Sequence, residues 1–463
     1  MLQVARIWDG LPWEKTVKGS GHTVSSPIAS AVLPNGDQFE LIRKGENSTL
    51  LLRWSGGCAS TCREFQLGQH RFTPVKIGDA LPNEIRLATG VSDYKSTAHL
   101  FNSIAGVFQS MCGLERNNAE MATCFAIATH FAECRDPAPR AIVTGIDTWE
   151  VLQFLRLLGC FCRHAIPAVF FEPAGHWNLP AGCSPTFVIS DPRQFSSRLR
   201  FLGATQCHGF EMARSGRIVN RPFSAVVLES DHELDDTVPN TFCRINATPQ
   251  IRPQILDAKA LGKIAGAFQP QLLMYRLKNR SHVASVTFDP SSLSGATRAL
   301  ASVLGSCFPD CEELQTRVVR LLEPQDEERR LDHARCESAV VLEALLIACH
   351  EKKANAHVGE VADLANGILD VRGDGYRLEA RRVGSIVRSF SLGLRRDSLG
   401  YGFLLSTECK GRIHQLARSL DVPFFRGQIE KCDICKKLSP DAHHERDVRH
   451  VHCAHKSGTK RGG

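Results

Sequence analysis

Pro139-Arg-Ala-Ile-Val-Thr-Gly145 opens the part of the chain whose reading decides the fold. Residues 141–143 form a short β-rich run that ends in Thr144 and Gly145. Residues 149–163 are apolar almost all round, with Val151, Phe154, Leu155, Leu158 and Phe161 prominent, which suits a helix covered on most sides. Further apolar runs follow at 168–171, 186–189, 225–228 and 242–245, each bounded by Pro, Gly, Asp, Asn or Ser. Short continuous apolar strands alternating with helical segments predict an α/β core, a mainly parallel sheet with helices on its faces.

Such a frame, with a strand ending in glycine before a helix, is that of a P-loop NTPase. The phosphate loop itself is missing. A G-x-x-x-x-G-K-[ST] loop needs glycines so that backbone amides wrap phosphate oxygens, a lysine to neutralise them and a hydroxyl for magnesium. Counted from Gly145, Glu150, Val151 and Leu152 stand at the glycine, lysine and hydroxyl positions. A carboxylate at the start of the helix repels phosphate, and Asp147 or Thr148 can cap the amides that phosphate would use. ATP and magnesium are therefore not expected as cofactors. Thr186-Phe-Val-Ile-Ser-Asp191 resembles a strand ending in a magnesium-holding acid, but Ser190 stands where the first acid is expected, and a plain strand and turn reads equally well. Arg244 is either a finger-like arginine or a surface ion-pair former. Gly145, Asp191 and Arg244 are the remnant nucleotide-site residues.

The chain has 463 residues, room for about three domains. Its 43% hydrophobic and 23% charged content is ordinary for a globular protein. No apolar run reaches membrane-spanning length, and the N-terminus has no signal-peptide pattern, so a cytoplasmic protein with no membrane partner is expected. The 18 cysteines are spread through a long chain, many in apolar segments, and read as buried free thiols of a reducing compartment. The net charge of +7 is uneven. From Tyr376 onward there are 18 Lys/Arg against 9 Asp/Glu, a balance of +9, which leaves −2 for the rest. One basic end on a near-neutral body points to an anionic partner, with DNA foremost; a solvated basic tail accounts for part of the excess.

Residues 1–93 read as a β-rich N-terminal region, with a turn at Pro34-Asn-Gly-Asp37. Cys58 and Cys62 have metal-ligand spacing but no second pair follows. Residues 94–252 form the core together with two preceding helical stretches, on which His130 reads as a packed histidine. Residues 253–334 read as helical, and the charge run from Glu323 to Arg330 as a solvated face or linker. Asp231-His-Glu-Leu-Asp-Asp236 reads as an exposed loop. Cys160, Cys162 and His164 offer thiols and an imidazole at the end of an apolar helix, a weak case for nucleophilic chemistry.

Residues 335–422 predict three helices (338–350, 358–369 and 379–390), two strand-like pieces around a turn, and a closing helix. That order describes a mostly helical winged-helix domain. Arg381, Arg382 and Arg388 fall on the third helix, which enters the major groove in such modules, and Arg395 and Arg396 on the wing. Phosphate contact is the functional reading; a winged helix that packs on protein is the alternative. Residues 423–463 form a basic Cys/His tail. Cys432 and Cys435 make a C-x-x-C knuckle, and His452, Cys453 and His455 are the preferred later ligands for a zinc ion, which takes four N/S donors. A basic tail with incidental thiols is the competing view.

Residues 128–249 resemble the ATPase core of a helicase-like family of bacteria, phage and mobile elements, often found beside primase modules. The resemblance rests on Pro139-Arg-Ala-Ile-Val-Thr-Gly145, Arg163-His-Ala-Ile-Pro167, Pro185-Thr-Phe-Val-Ile-Ser-Asp191, Phe201-Leu-Gly-Ala-Thr-Gln-Cys-His-Gly209 and Arg244-Ile-Asn246. It implies a P-loop-like fold and a history in DNA transactions. Because the lysine loop is absent and the acid pair is reduced to Ser190-Asp191, it does not carry over ATP hydrolysis. The expectation is a non-hydrolysing, helicase-related DNA-binding protein with a structural or regulatory role. The alternatives are an active ATPase of the helicase class with an unusual nucleotide site, and a zinc-containing protein-interaction module.

Overall fold

A computed structural model describes residues 24–45, 48–67, 70–78, 84–168, 182–190, 212–214, 217–219, 225–229, 242–351, 353–398, 400–419 and 422. Asp191, the segments 201–209 and 231–236, and the tail residues Cys432, Cys435, His452, Cys453 and His455 lie outside the described residues. The chain forms two compact units, Met1–Gln325 and Asp326–Gly463. Among the described residues no helix is long and apolar enough to cross a membrane.

The first unit begins with β1 (Val24–Ile28), β2 (Ser30–Val32), β3 (Gln38–Arg43), β4 (Thr49–Ser55), β5 (Cys58–Cys62), β6 (Phe65–Leu67) and β7 (His70–Pro74). β2 to β5 form an antiparallel meander, and β1 pairs with β7 in parallel beside β6. Two helices follow, α1 (Thr97–Cys112) and α2 (Arg116–Thr129). α1 starts where the Ser96 hydroxyl accepts from the His99 amide at 3.1 Å and stops at Gly113, whose φ of 66° is left-handed.

The core then runs β8 (Arg140–Thr144), α3 (Thr148–Leu158), β9 (Ile166–Ala168), β10 (Thr186–Ile189), the small hairpin β11 (Met212–Arg214) and β12 (Arg217–Val219), β13 (Ala225–Glu229) and β14 (Cys243–Asn246). β14, β8, β13, β10 and β9 lie side by side in that order, and every pairing is parallel. Side chains alternate between faces along each strand. Ala141, Val143, Val188 and Ile245 therefore pack with the helices, while Ile142, Phe187 and Ile189 pack with Phe39, Leu41 and their neighbours from the N-terminal strands. This corrects the expectation of helices on both faces: among the described residues one face is covered by the β-rich region.

α4 (Ala258–Ser285), α5 (Gly295–Gly305) and α6 (Glu312–Arg335) complete the run of helices. α6 continues through Pro324, so the charge run expected as a solvated face or linker is helical: Glu323, Glu327 and Glu328 are exposed, while Gln325, Asp326 and Arg329 are buried. Gln325 shows why it is held: its Nε2 donates to the Phe242 carbonyl at 2.8 Å, and its Oε1 accepts from the Arg244 amide at 3.3 Å. The side chain thus satisfies backbone groups along the edge strand β14.

Beneath the N-terminal strands lies a buried ionic cluster. Glu40 on β3 accepts from Arg276 Nε at 2.7 Å and Arg163 Nη2 at 3.0 Å. Glu133 pairs with Arg276 at 2.5 Å and Arg280 at 3.1 Å. Arg276 also donates to the His130 carbonyl. These charges survive burial because they are mutually paired and hydrogen-bonded.

The second unit comprises the part of α6 from Asp326 onward, α7 (Glu337–His350), β15 (Asn355–His357), α8 (Val358–Arg372), α9 (Ala380–Ser389), β16 (Arg395–Asp397), β17 (Gly400–Leu404) and α10 (Thr407–Ser419). β15, β17 and β16 form an antiparallel sheet. β15 was not expected from the sequence; three residues are too few to show a period. The core joins Val340, Leu345, Val361, Leu369, Val387 and Phe403.

Candidate functional site

Two places carry the residues singled out in the sequence. The first is the carboxyl end of β8. This strand lies between β13 and β14, and the connection leaving it goes to α3. In open parallel sheets ligands gather at such a switch point. Here the turn is only Gly145, Ile146 and Asp147. Asp147 Oδ1 accepts from the amides of Trp149 at 2.7 Å and Glu150 at 3.2 Å. The first-turn amides are thereby occupied by the chain's own carboxylate, and Glu150 adds a second negative charge in that turn. A Cβ on Gly145 would come within 2.5 Å of Val151 Cγ2, so the helix packs directly against the turn. Thr144 O accepts from the Ala247 amide at 2.7 Å, and the Asn246 amide donates to Asn118 Oδ1 at 3.0 Å. Gly145 is glycine here for close packing, and among the described residues the first-turn amides beside it are met by Asp147.

Arg244 sits within β14, opposite Ile142, three positions before Gly145 in register. Its neighbours Cys243 and Ile245 face the helices, so Arg244 lies on the other face of the sheet. Gly145, in the turn just after β8, and Arg244, within the neighbouring strand β14, thus do not converge on one site.

The thiols at Cys160 and Cys162 are buried and free. Burial pushes Cys160 up to about 11 and Cys162 higher still, which removes the thiolate that nucleophilic chemistry needs. His130 is packed: its Nε2 lies 2.9 Å from the Phe161 carbonyl, and burial pushes its pKa down to about 3. Cys58 and Cys62 lie at the two ends of β5. Among the described residues no group of three or more His, Cys, Asp or Glu is arranged to hold a metal.

The second place is the basic face of α9 and the β16–β17 hairpin. α9 buries Val383, Ile386 and Val387 and exposes Arg381, Arg382 and Arg388. At ~100° per residue, Arg381 and Arg388 fall within about 20° of each other, while Arg382 is turned away by about 100°. Arg382 is also engaged, its Nε 2.6 Å from Glu337 Oε2. The hairpin register sets Arg396 opposite Tyr401 and Arg395 opposite Gly402. Directly opposed residues share a face, so Arg395 and Arg396 lie on opposite sides of the sheet. The Arg388 guanidinium lies over the Tyr401 ring, 5.7 Å from its centre, and Tyr401 is 48% exposed. The structure therefore brings Arg388 and Arg396 to one exposed aromatic ring. Arg381 shares the helix face of Arg388 about two turns away, and Arg382 and Arg395 point elsewhere.

Tyr401 was missed in the sequence. Its signal is modest: an aromatic residue between two glycines beside a pair of arginines. The buried Glu40 and Arg276 were missed as well, although each stands as a lone charge inside an apolar run.

No protein-family model matches the chain, and no curated protein matches it. Among solved structures, the chain is similar to the apo structure of the NrS-1 C-terminal region at 9% identity, over 80% of this chain and 97% of that one, with a TM-score of 0.36. It is also similar to the Drosophila ORC bound to DNA at 14% identity, over 73% of this chain and 96% of that one, with a TM-score of 0.17. Likeness at this level defines neither a shared fold nor a shared function.

Proposed function

We propose that this chain is a cytoplasmic, helicase-related DNA-binding protein that acts as a structural or regulatory subunit and does not hydrolyse ATP. The second unit reads as a winged helix, with α9 as the helix offered to DNA and β16–β17 as the wing. The observation that carries the reading is the exposed meeting of Arg388 and Arg396 at Tyr401, with Arg381 exposed on the same face of α9 as Arg388. Guanidiniums bind phosphate oxygens in a bidentate manner, and an exposed aromatic ring between them gives a sugar or base a surface to rest on.

The all-parallel sheet, with its first strand flanked by the fourth and fifth, supports a P-loop-NTPase-like frame for the first unit. The capped turn at Asp147 and the packing of Val151 on Gly145 support loss of the nucleotide grip. Zinc held by Cys432 and Cys435 with two of His452, Cys453 and His455 remains part of the proposal, resting on spacing alone.

The test is equilibrium binding of the full chain to a labelled DNA duplex. The reading expects Arg381→Ala with Arg388→Ala to weaken binding by at least about tenfold, since each lost charged hydrogen bond costs about 1.5–3 kcal/mol. Equal binding by the wild type and the double variant would overturn it.

A further inference from the structure

A cavity of about 600 Å³ lies in the first unit, between residues 84–89, α3 and α4. It belongs neither to the β8 turn nor to the basic face of α9. Its volume is that of a small-molecule site.

The walls divide by chemistry. Leu87, Leu152, Leu155, Val188 and Leu261 make an apolar body. α4 turns Gly262 and Gly266 toward the cavity, one turn apart, and a Cβ added at either would meet no atom within 4 Å. Glycine inside a helix costs about 0.5–1 kcal/mol relative to alanine, and neither position is demanded by neighbouring packing. Two such residues on one face keep the space open.

The next residue along that face is Gln269, which is 5% exposed. Its Nε2 donates to the carbonyls of Cys160 and Cys162, both at 2.9 Å. Those two bonds fix the amide, and its Oε1 accepts nothing among the described residues. An amide oxygen left without a protein donor is open to one from solvent or from a bound molecule.

Arg43, Arg86 and Arg156 also line the cavity, and among the described lining residues Glu84 is the single acid. Arg43 is held by its Nη2, which donates to the Ile85 carbonyl at 3.0 Å. Arg86 is placed by its backbone amide, which donates to the Ala165 carbonyl at 3.2 Å. Burial, and then the neighbouring Arg86 guanidinium, push the Arg43 pKa down. Like charges brought together at the edge of an apolar space favour an anion between them.

We propose that this cavity binds a small organic anion, with its carboxylate or phosphate held by Arg43 and Arg86, its apolar body against the leucines and the glycine face of α4, and a hydrogen-bond donor directed to Gln269 Oε1. The site is independent of the DNA-binding reading, and its test does not involve DNA.

The probe is 8-anilinonaphthalene-1-sulfonate, an apolar ring system bearing a sulfonate, bound to the full chain and displaced by octanoate, octyl phosphate or octanol. Octanoate or octyl phosphate is expected to displace it at about one-tenth the concentration of octanol, as a charged hydrogen bond provides. The better of the two acids identifies the head group. Gly266→Leu is expected to abolish probe binding while the thermal midpoint holds or rises, because the new side chain fills open space and replaces a helical glycine. Gly262→Leu is the second filling variant. Arg86→Gln is expected to remove the advantage of the acids over octanol, and it leaves the apolar walls intact. The proposal is overturned if the probe does not bind, if octanol competes as well as the acids, if both filling variants bind the probe as the wild type does, or if Arg86→Gln leaves the acids' advantage unchanged.

Discussion

Arg276 Nε donates to Glu40 Oε1 at 2.7 Å, joining the long helix α4 to the N-terminal strand β3 across 236 residues of chain. Arg276 is 1% exposed and Glu40 is 3% exposed. Removing one partner leaves a buried charge uncompensated. Arg276→Met is therefore expected to lower the stability of the first unit by about 3–5 kcal/mol, measured by denaturant unfolding. A loss below about 1 kcal/mol would show that the cluster is solvated in solution.

The same cluster predicts an acid limb. Burial raises the Glu40 carboxyl, but Arg163 and Arg276 outweigh it and hold the pKa at about 2. An unfolded glutamate titrates near about 4.3, so this contribution is full above that pH and is lost as pH falls through about 2. His130 is pushed down to about 3 by burial, against about 6.5 unfolded. Its folded site favours the neutral ring, so its contribution is full above about 6.5 and declines as pH falls toward 3. Denaturation midpoints should thus decline from about pH 6.5 downward and more steeply below about pH 4.3. A midpoint flat from pH 7 to 3 would contradict both assignments.

At the β8–α3 turn, Asp147 caps the helix. Asp147→Ala should cost about 1 kcal/mol of stability, the usual cost of a lost N-cap. It should not create a nucleotide site, because Glu150 stays in the first turn and Val151 still packs against Gly145. Equilibrium dialysis with magnesium and ATP is expected to show no binding for either protein. Binding by the wild type, with hydrolysis that Asp191→Asn abolishes, would restore the ATPase reading.

The arginines of α9 should differ from one another. Arg382→Ala is expected to change DNA affinity less than Arg388→Ala, since Arg382 is tied to Glu337 and turned from the face that Arg381 and Arg388 share. Equal losses would mean that the whole helix surface, without distinction of face, meets the DNA.

Metal analysis of the purified full chain addresses the tail. One zinc per chain, lost in Cys432→Ser with Cys435→Ser, is the expected result. No stoichiometric zinc in the wild type would remove the tail site.

Three strands of the core, β8, β10 and β13, were legible in sequence because each holds a continuous apolar run closed by turn residues, as in Thr186-Phe-Val-Ile189; β14 carries Arg244 inside it, and β9 lies at Ile166–Ala168, ahead of the run read at 168–171. The order of those strands was not, since pairing depends on contacts between residues far apart in the chain. The covering of one sheet face by the N-terminal strands was hidden for the same reason: Phe39 and Leu41 look like any alternating strand until Ile142 and Phe187 meet them. The arginines of α9 could be named from position, but which of them converge depended on the hairpin register and on the pairing of Arg382 with Glu337. Gln269 and its two glycines gave no sequence signal, because a cavity is a property of packing.

The salt dependence of DNA binding, measured by fluorescence anisotropy of a labelled duplex, counts the phosphates this protein contacts. Each phosphate contact contributes about one unit to the slope of log affinity against log salt. The account predicts tight, salt-sensitive binding by the wild type and a slope shallower by about two for the variant carrying Arg381→Ala and Arg388→Ala. Salt-independent binding, or an identical slope and affinity in the variant, would contradict it.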